Sequence, residues 1–350
     1  MHTSHSTPLR IALIGAGVMG RQHVGTMKQV PDVELVAVVD PFTHSLADEE
    51  GVAAFTDTRT MLSAVKPDAA LIVNPNDLHV PTALDCIAAG VPALLEKPVA
   101  TSLDDARRLI GALCDSPVPL LVGHHRRHNP VIARAKTLID AGALGRPSLA
   151  TALWQTRKPD AYYDMTWRRE PGAGVILINL VHETDLLRHL YGEVVEVQAF
   201  TSNALRGFAV EDTATINFRF ESGALASIVG SDAVASPWGW EKNLNEVPKF
   251  AKEYDQPCLL LSGTEGALSI PQLKLWRYGE RADWEAPLSQ QQIGYQAEDP
   301  QVLQLRHFVS VARGEVAPLI SVEDAARTIA VVDAIHQAAR ERRAVTPTYP

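Results

Sequence analysis

Two short segments carry side chains that could stabilise an oxyanion and move a proton. The first is Glu96-Lys97-Pro98. It follows at once on Val91-Pro-Ala-Leu-Leu95, an apolar run suited to a buried strand. A lysine there is a cationic donor that could bind a hydroxyl and stabilise it as its proton leaves. The proline restricts the backbone around it. The second is Gly172-Ala-Gly-Val-Ile-Leu-Ile-Asn179-Leu-Val-His182-Glu-Thr-Asp185. From about Val175 this predicts a helix, with Asn179, His182 and Glu183 at i, i+3 and i+4 on one face. Asn179, His182 and Leu186 would line an otherwise apolar stripe. Histidine is the side chain best matched to proton transfer near neutral pH. Each segment also has a plainer reading, a solvated lysine and a satisfied core histidine. Metalloprotease chemistry is excluded, because Leu186 stands where HExxH needs its second histidine. No metal site is expected.

The elements that must position these groups begin near the N-terminus. Arg10-Ile-Ala-Leu-Ile14 predicts a buried strand, and Gly15-Ala-Gly17-Val18-Met19-Gly20 follows it into helical sequence. Leu35-Val-Ala-Val-Val39 predicts a second strand that ends in Asp40. Strand, glycine turn, helix, strand and terminal acid form a dinucleotide fingerprint. Gly15 permits the tight turn, Gly17 lets a pyrophosphate approach the backbone, and Gly20 lets the helix pack close. The helix N-terminus offers N–H donors to phosphates. Asp40 can accept from the adenosine ribose hydroxyls and would repel a 2′-phosphate, which favours NAD over NADP. Gly15, Gly17, Val18, Met19, Gly20 and Asp40 are therefore candidate cofactor-binding residues. Asn74-Pro75-Asn76-Asp-Leu-His79 follows the apolar run Asp68–Val73, and ligands of such sheets bind beyond the carboxyl ends of strands. Asn74 could offer its amide to a ribose or nicotinamide, and Pro75 stiffens the turn. Asn74, Pro75, Asn76, His79, Glu96 and Lys97 complete the cofactor-side candidates.

Composition narrows the class. The chain has 350 residues, enough for two domains, and 46% hydrophobic residues for their cores. A net charge of −9 argues against a nucleic-acid partner. No apolar run approaches the ~20 residues that span a membrane. Met1 to Leu9 is polar, without the apolar core of an export signal. Cys86, Cys114 and Cys258 are unclustered and odd in number, which suits a reducing cytoplasm and a packing role.

The first third alternates strand and helix. Helices are expected from Thr43, over Thr58 to Val65, Val80 to Ala89 and Ser102 to Leu113, and Leu120-Leu-Val-Gly123 supplies a last strand. This pattern predicts a doubly wound parallel sheet over residues 1–125. After about Arg126 the rhythm changes. A helix from Pro130 to Ala141 precedes strands over Glu193–Ser202, Asp212–Phe220, Gly223–Ser231, Cys258–Ser262 and Ala267–Pro271. Residues 126–350 are thus expected to form a second, α+β domain with a mainly antiparallel sheet. Ser236 to Gln256 reads as a long loop and Val322 to Arg340 as the last helix.

GAGVMG, NPNDLH, EKP, the Trp167-Arg168 pair, NLVHETD and Val210-Glu-Asp-Thr213 stand in the order and spacing of the glucose–fructose oxidoreductase / inositol dehydrogenase / rhizopine-catabolism (Gfo/Idh/MocA) family. The chain resembles that family over nearly its whole length. The resemblance implies an N-terminal Rossmann domain and a C-terminal domain whose open sheet commonly makes subunit contacts, hence a homodimer or homotetramer. It implies NAD- or NADP-dependent oxidation of a secondary alcohol of a sugar, polyol or related cyclic diol. Lys97 matches the family lysine that contacts the reacting hydroxyl, and His182 the histidine assigned as general base. Asn179 falls where many members have Asp. A neutral Asn can only orient groups by hydrogen bonds. Some subgroups carry Asn here, so it reads as a subgroup mark. The implied substrate position lies between the EKP turn and the helix bearing His182.

Cations stand out in Gly123-His-His-Arg126-Arg127-His128, Arg157-Lys158 and Trp167-Arg168-Arg169. Arginine forks suit carboxylates. Arg127, Trp167 and Arg168 are therefore substrate-binding candidates together with Lys97, Asn179 and His182, and a carboxylated substrate is one option. Pairing of these arginines with the chain's own acids is the plainer alternative. Tyr162, Tyr163, Trp167, Trp238 and Trp240 could face a sugar ring, or could be core and interface material. Two rival functions keep the same fold: a redox-neutral NAD-dependent glycosidase and a non-catalytic NAD-binding sensor. A sensor needs neither Lys97 nor His182.

Overall fold

The protein is described by a computed structural model covering residues 7–246 and 250–350. The polar stretch at Met1–Leu9 and the loop expected over Ser236–Gln256 therefore lie partly outside the described residues. The chain divides into two compact units. The first holds Met1–His128 and Glu298–Ile329, and the second holds Asn129–Ala297 and Ala330–Tyr349. The sequence pattern had placed Glu298–Ile329 with the second domain; in three dimensions this segment packs with the first.

The first unit begins with β1 (Leu9–Ile14), α1 (Val18–Met27), β2 (Val33–Val39), α2 (Ser45–Glu50), β3 (Ala53–Phe55) and α3 (Thr58–Val65). It continues with β4 (Ala69–Ile72), α4 (His79–Ala88), β5 (Ala93–Leu95), α5 (Leu103–Cys114) and β6 (Leu120–Val122). The six strands are parallel, in the order β3-β2-β1-β4-β5-β6. Central strands β4 and β5 are buried at every position, as a sheet covered on both faces requires. Local signals start the helices. Ser102 accepts from Asp105 N–H at 3.1 Å to cap α5, and Asp57 accepts from Arg59 and Thr60 N–H to cap α3.

The second unit contains α6 (Pro130–Asp140), β7 (Pro147–Gln155), α7 (Val181–Tyr191), β8 (Val194–Ser202), β9 (Thr213–Phe220) and β10 (Leu225–Ser231). It continues with α8 (Trp240–Asn243), β11 (Leu259–Gly263), β12 (Gly266–Ile270), β13 (Lys274–Tyr278) and β14 (Leu288–Gln292). Its eight strands run in the order β14-β13-β12-β11-β7-β10-β9-β8. All neighbours are antiparallel except β7 and β10. Burial alternates along β9, with Ala214, Ile216, Phe218 and Phe220 inward, so one face of the sheet packs on the core. α9 (Pro300–Ala312) belongs to the first unit, and α10 (Val322–Glu341) runs from one unit's segment into the other's. Among the described residues no helix is long and apolar enough to cross a membrane.

Candidate active site

Four adjacent strands of the first sheet, β2, β1, β4 and β5, end in Asp40, the Gly15 turn, Asn74 and Glu96-Lys97 respectively. The chain-end pattern read from sequence thus becomes one continuous rim. Gly15 has φ +110°, and a Cβ on it would stand 2.7 Å from Val73 O and 2.8 Å from Asn74 N. A Cβ on Gly20 would stand 2.1 Å from Gly15 O. These two glycines let the turn, α1 and the Asn74 turn pack against one another. Gly17 is different: nothing lies within 4 Å of where its Cβ would be. No side chain caps α1 and no acid stands in its first turn, which leaves its N–H groups open to an anion. Val18 and Met19 are 81% and 38% exposed beside that opening. This cradle fits the pyrophosphate of a dinucleotide.

Asp40 is held by backbone donors. Its Oδ2 accepts from Ala16 N–H at 2.9 Å, and its Oδ1 accepts from Phe42 and Thr43 N–H at 2.9 and 3.1 Å. A carboxylate offers about four lone-pair directions, so it can also take ribose hydroxyls. Asn74 donates from Nδ2 to Thr82 Oγ1 at 2.8 Å, while its buried Oδ1 has no partner among the described residues. That acceptor fits a ribose or carboxamide donor. Pro75 and Asn76 shape the short helical turn that leads into α4.

His79 and Glu96 act through the protein rather than facing a ligand. His79 is 1% exposed, with Nδ1 2.7 Å from Pro98 O and Nε2 3.0 Å from Asn74 O. It ties the Asn74 turn to the Lys97 turn, and burial pushes its pKa down. Glu96 Oε1 lies 3.0 Å from His23 Nε2 on α1, and Oε2 accepts from Lys97 N–H at 3.0 Å. Burial alone would raise the Glu96 pKa, but the hydrogen bond and charge of His23, together with the charges of His125 and Lys97, outweigh it and hold it at about 2.

In the second unit the helix expected from about Val175 does start there, with helical Gly174–Val175, but Ile176–Leu180 forms a π turn before α7 runs from Val181. The wider turn breaks the simple i, i+3, i+4 relation of Asn179 to His182 and Glu183, and such turns recur at functional sites. Glu211 starts the segment: its Oε1 accepts from Ile176 N–H at 3.0 Å, and a Cβ on Gly174 would collide with that carboxylate. His182 is buried in the first turn of α7. Asn179 accepts at Oδ1 from Lys158 Nζ at 2.7 Å.

The proposed cationic contacts fare unevenly. Arg127 is 5% exposed and paired with Asp324 within the first unit, so its charge is spent on the fold, as a buried charge demands. Arg168 folds over the Tyr162 ring, 3.9 Å from its centroid, and donates to Tyr162 O at 2.7 Å. Trp167 is 46% exposed. Tyr163 and Trp240 are buried.

Two family models match this chain. One, described as an oxidoreductase family with an NAD-binding Rossmann fold, covers residues 9–124, and the other, the GFO/IDH/MocA C-terminal domain, covers residues 132–269. The chain belongs to the GFO/IDH/MocA oxidoreductase family. It is an NAD-binding oxidoreductase. Among curated GFO/IDH/MocA relatives it is similar to a D-apiose dehydrogenase of Paraburkholderia graminis, 28% identical over 95% of this chain and 88% of that one. It is also similar to an inositol 2-dehydrogenase of Mycolicibacterium smegmatis, 31% identical over 53% of this chain and 54% of that one. An Agrobacterium radiobacter oxidoreductase solved with NAD+, L-tartaric acid and magnesium shares the fold. Its TM-score is 0.80 at 22% identity, over 97% of this chain and 98% of that one.

Sequence reasoning did not single out His23 in the first unit or Asp232 in the second, and it named the segments holding Lys158 and Glu211 without the contacts they make. Glu211 carried a signal, since it sits in the Val210–Thr213 motif. His23 and Asp232 act through partners far away in sequence, and no local pattern announces them.

Proposed function

We propose that the protein is an NAD-dependent dehydrogenase that oxidises a secondary hydroxyl of a sugar, a polyol or a related cyclic diol, carboxylated ones included. The observation that carries this reading is the rim on which Asp40, the Gly15 turn, Asn74 and Lys97 end four adjacent strands. The relatives named as dehydrogenases of apiose and inositol support the substrate class.

NAD, when bound, supplies the hydride acceptor. The Lys97 ammonium binds the substrate hydroxyl and stabilises charge on its oxygen as the proton leaves. His182 accepts that proton at a ring nitrogen. Asn179 orients the substrate by hydrogen bonding, with Trp167 and Arg168 as further substrate-side groups. Asp40 takes the ribose hydroxyls and repels a 2′-phosphate, which favours NAD over NADP. Positioning and electrostatics supply most of the acceleration. The reading includes a homodimer or homotetramer through the second unit's sheet, where the register partners Leu149 and Leu225 are 54% and 44% exposed. It places the protein in the cytoplasm, in keeping with free Cys86, Cys114 and Cys258.

The test is NADH formation from a panel of sugars, uronic acids, inositols and cyclic diols, with NADP in parallel. NADH from one substrate class supports the dehydrogenase. Silence across the panel, with tight NAD binding, overturns it in favour of the redox-neutral glycosidase or the sensor.

A further inference from the structure

We infer that Lys158 is a positioning residue that commits the Asn179 amide to face the substrate as a hydrogen-bond donor, so that the site reads an acceptor oxygen on the substrate. Lys158 Nζ donates to Asn179 Oδ1 at 2.7 Å and to Asp232 Oδ2 at 3.2 Å, and it lies 4.7 Å from the centroid of the Tyr162 ring. An ammonium group has donors and no acceptor. The amide must therefore turn its oxygen toward Lys158, and its NH2 group points the other way. No group among the described residues accepts from that NH2, and Asn179 is only half-buried. Its two donors are left for a ligand.

Lys158 is itself firmly anchored. Its backbone N–H donates to Asp232 O at 2.9 Å. Asp232 also accepts from Arg206 Nε at 3.0 Å and from the Tyr163 hydroxyl. Asn179 sits in the π turn that leads directly into α7, the helix carrying His182, the proposed base. An aspartate at the same place would offer Lys158 a carboxylate and turn an acceptor to the substrate, which selects a hydroxyl proton. Asparagine reverses that selection. The matching substrate feature is a carbonyl, carboxylate or ring oxygen.

The inference rests on the dehydrogenase reading, and its test separates the two. With the alcohol that gives NADH in the panel, kcat and KM are measured for Lys158→Met, Lys158→Arg and Asn179→Asp. Asp232 keeps Arg206 and Tyr163 in each variant, so the fold has support. The expected result is a KM raised roughly tenfold in Lys158→Met and in Asn179→Asp, with a smaller change in kcat, and partial rescue in Lys158→Arg. An unchanged KM in Lys158→Met alongside a raised KM in Asn179→Asp overturns the orienting role. So does an Asn179→Asp enzyme that works as well as the parent. If no alcohol gives NADH, the dehydrogenase reading fails on its own. The pair is then tested by thermal denaturation of Lys158→Met, Asn179→Leu and the double variant. Non-additive shifts support the contact, and additive ones overturn it.

Discussion

His23 and Glu96, one on the first helix and one at the end of β5, meet at 3.0 Å in the interior of the first unit. The same carboxylate accepts the backbone N–H of Lys97 through its other oxygen. One buried pair therefore braces the helix that opens toward the dinucleotide phosphates and the turn that carries the proposed oxyanion stabiliser. Removing one partner of a buried pair leaves an uncompensated charge, so His23→Ala is expected to cost about 3–5 kcal/mol in urea denaturation.

The pair also sets a pH dependence. The folded Glu96 pKa of about 2 lies below the ordinary 4.5, so the folded state favours the ionised form. The resulting stability is fully present above about pH 4.5 and is lost as pH falls toward 2. Urea midpoints measured across that window should fall for the parent and fall less for Glu96→Gln, which has no carboxyl to titrate. Parallel curves for the two proteins would contradict the assignment.

Gly15 and Gly17 should separate folding from binding. Gly15→Ala places a Cβ against Val73 and Asn74 backbone at a φ of +110°, with an expected loss of at least about 1–3 kcal/mol. Gly17→Ala meets open space, so its stability should stay within about 1 kcal/mol of the parent. Its NAD affinity, read by calorimetry, should fall roughly tenfold or more, because the methyl occupies the phosphate cradle.

Much of the first unit was legible because its signals are local. The β1–Gly15–α1–β2–Asp40 series, the Ser102 cap and the strand before Lys97 are each readable within a few residues. The second unit was less so. β7 lies at the centre of its sheet, parallel to β10 and antiparallel to β11, and that pairing is fixed by contacts dozens of residues away. β14, Leu-Ser-Gln-Gln-Gln, is exposed along its whole length and has no apolar alternation to reveal it. The π turn at Asn179 is invisible to a search for helical period. Arg127 and Arg168 show the converse limit: sequence offered cations, and only the fold shows Asp324 neutralising one and Tyr162 stacking on the other.

Asp40 should govern the choice of cofactor. Asp40→Ser removes the charge that would face a 2′-phosphate and weakens the hold on the ribose hydroxyls. The ratio of NADP to NAD efficiency should rise by roughly tenfold or more, with a raised KM for NAD. The same variant loses the Ala16 contact, so its melting temperature should drop as well.

Lys97→Ala should lower kcat by about two or more orders of magnitude, the scale on which removal of one preorganised donor acts. NAD affinity should change little, since the phosphate cradle and Asp40 are untouched. Near-normal turnover would remove Lys97 from the chemistry.

The central claim is net hydride transfer from a secondary carbon to NAD. It is tested most directly with the alcohol that gives NADH, carrying deuterium at the reacting carbon, followed by mass spectrometry of the released cofactor. The account predicts NADH that holds the deuterium and accumulates with the oxidised product. Unlabelled NADH, or deuterium returned to the sugar with no net NADH, would contradict it.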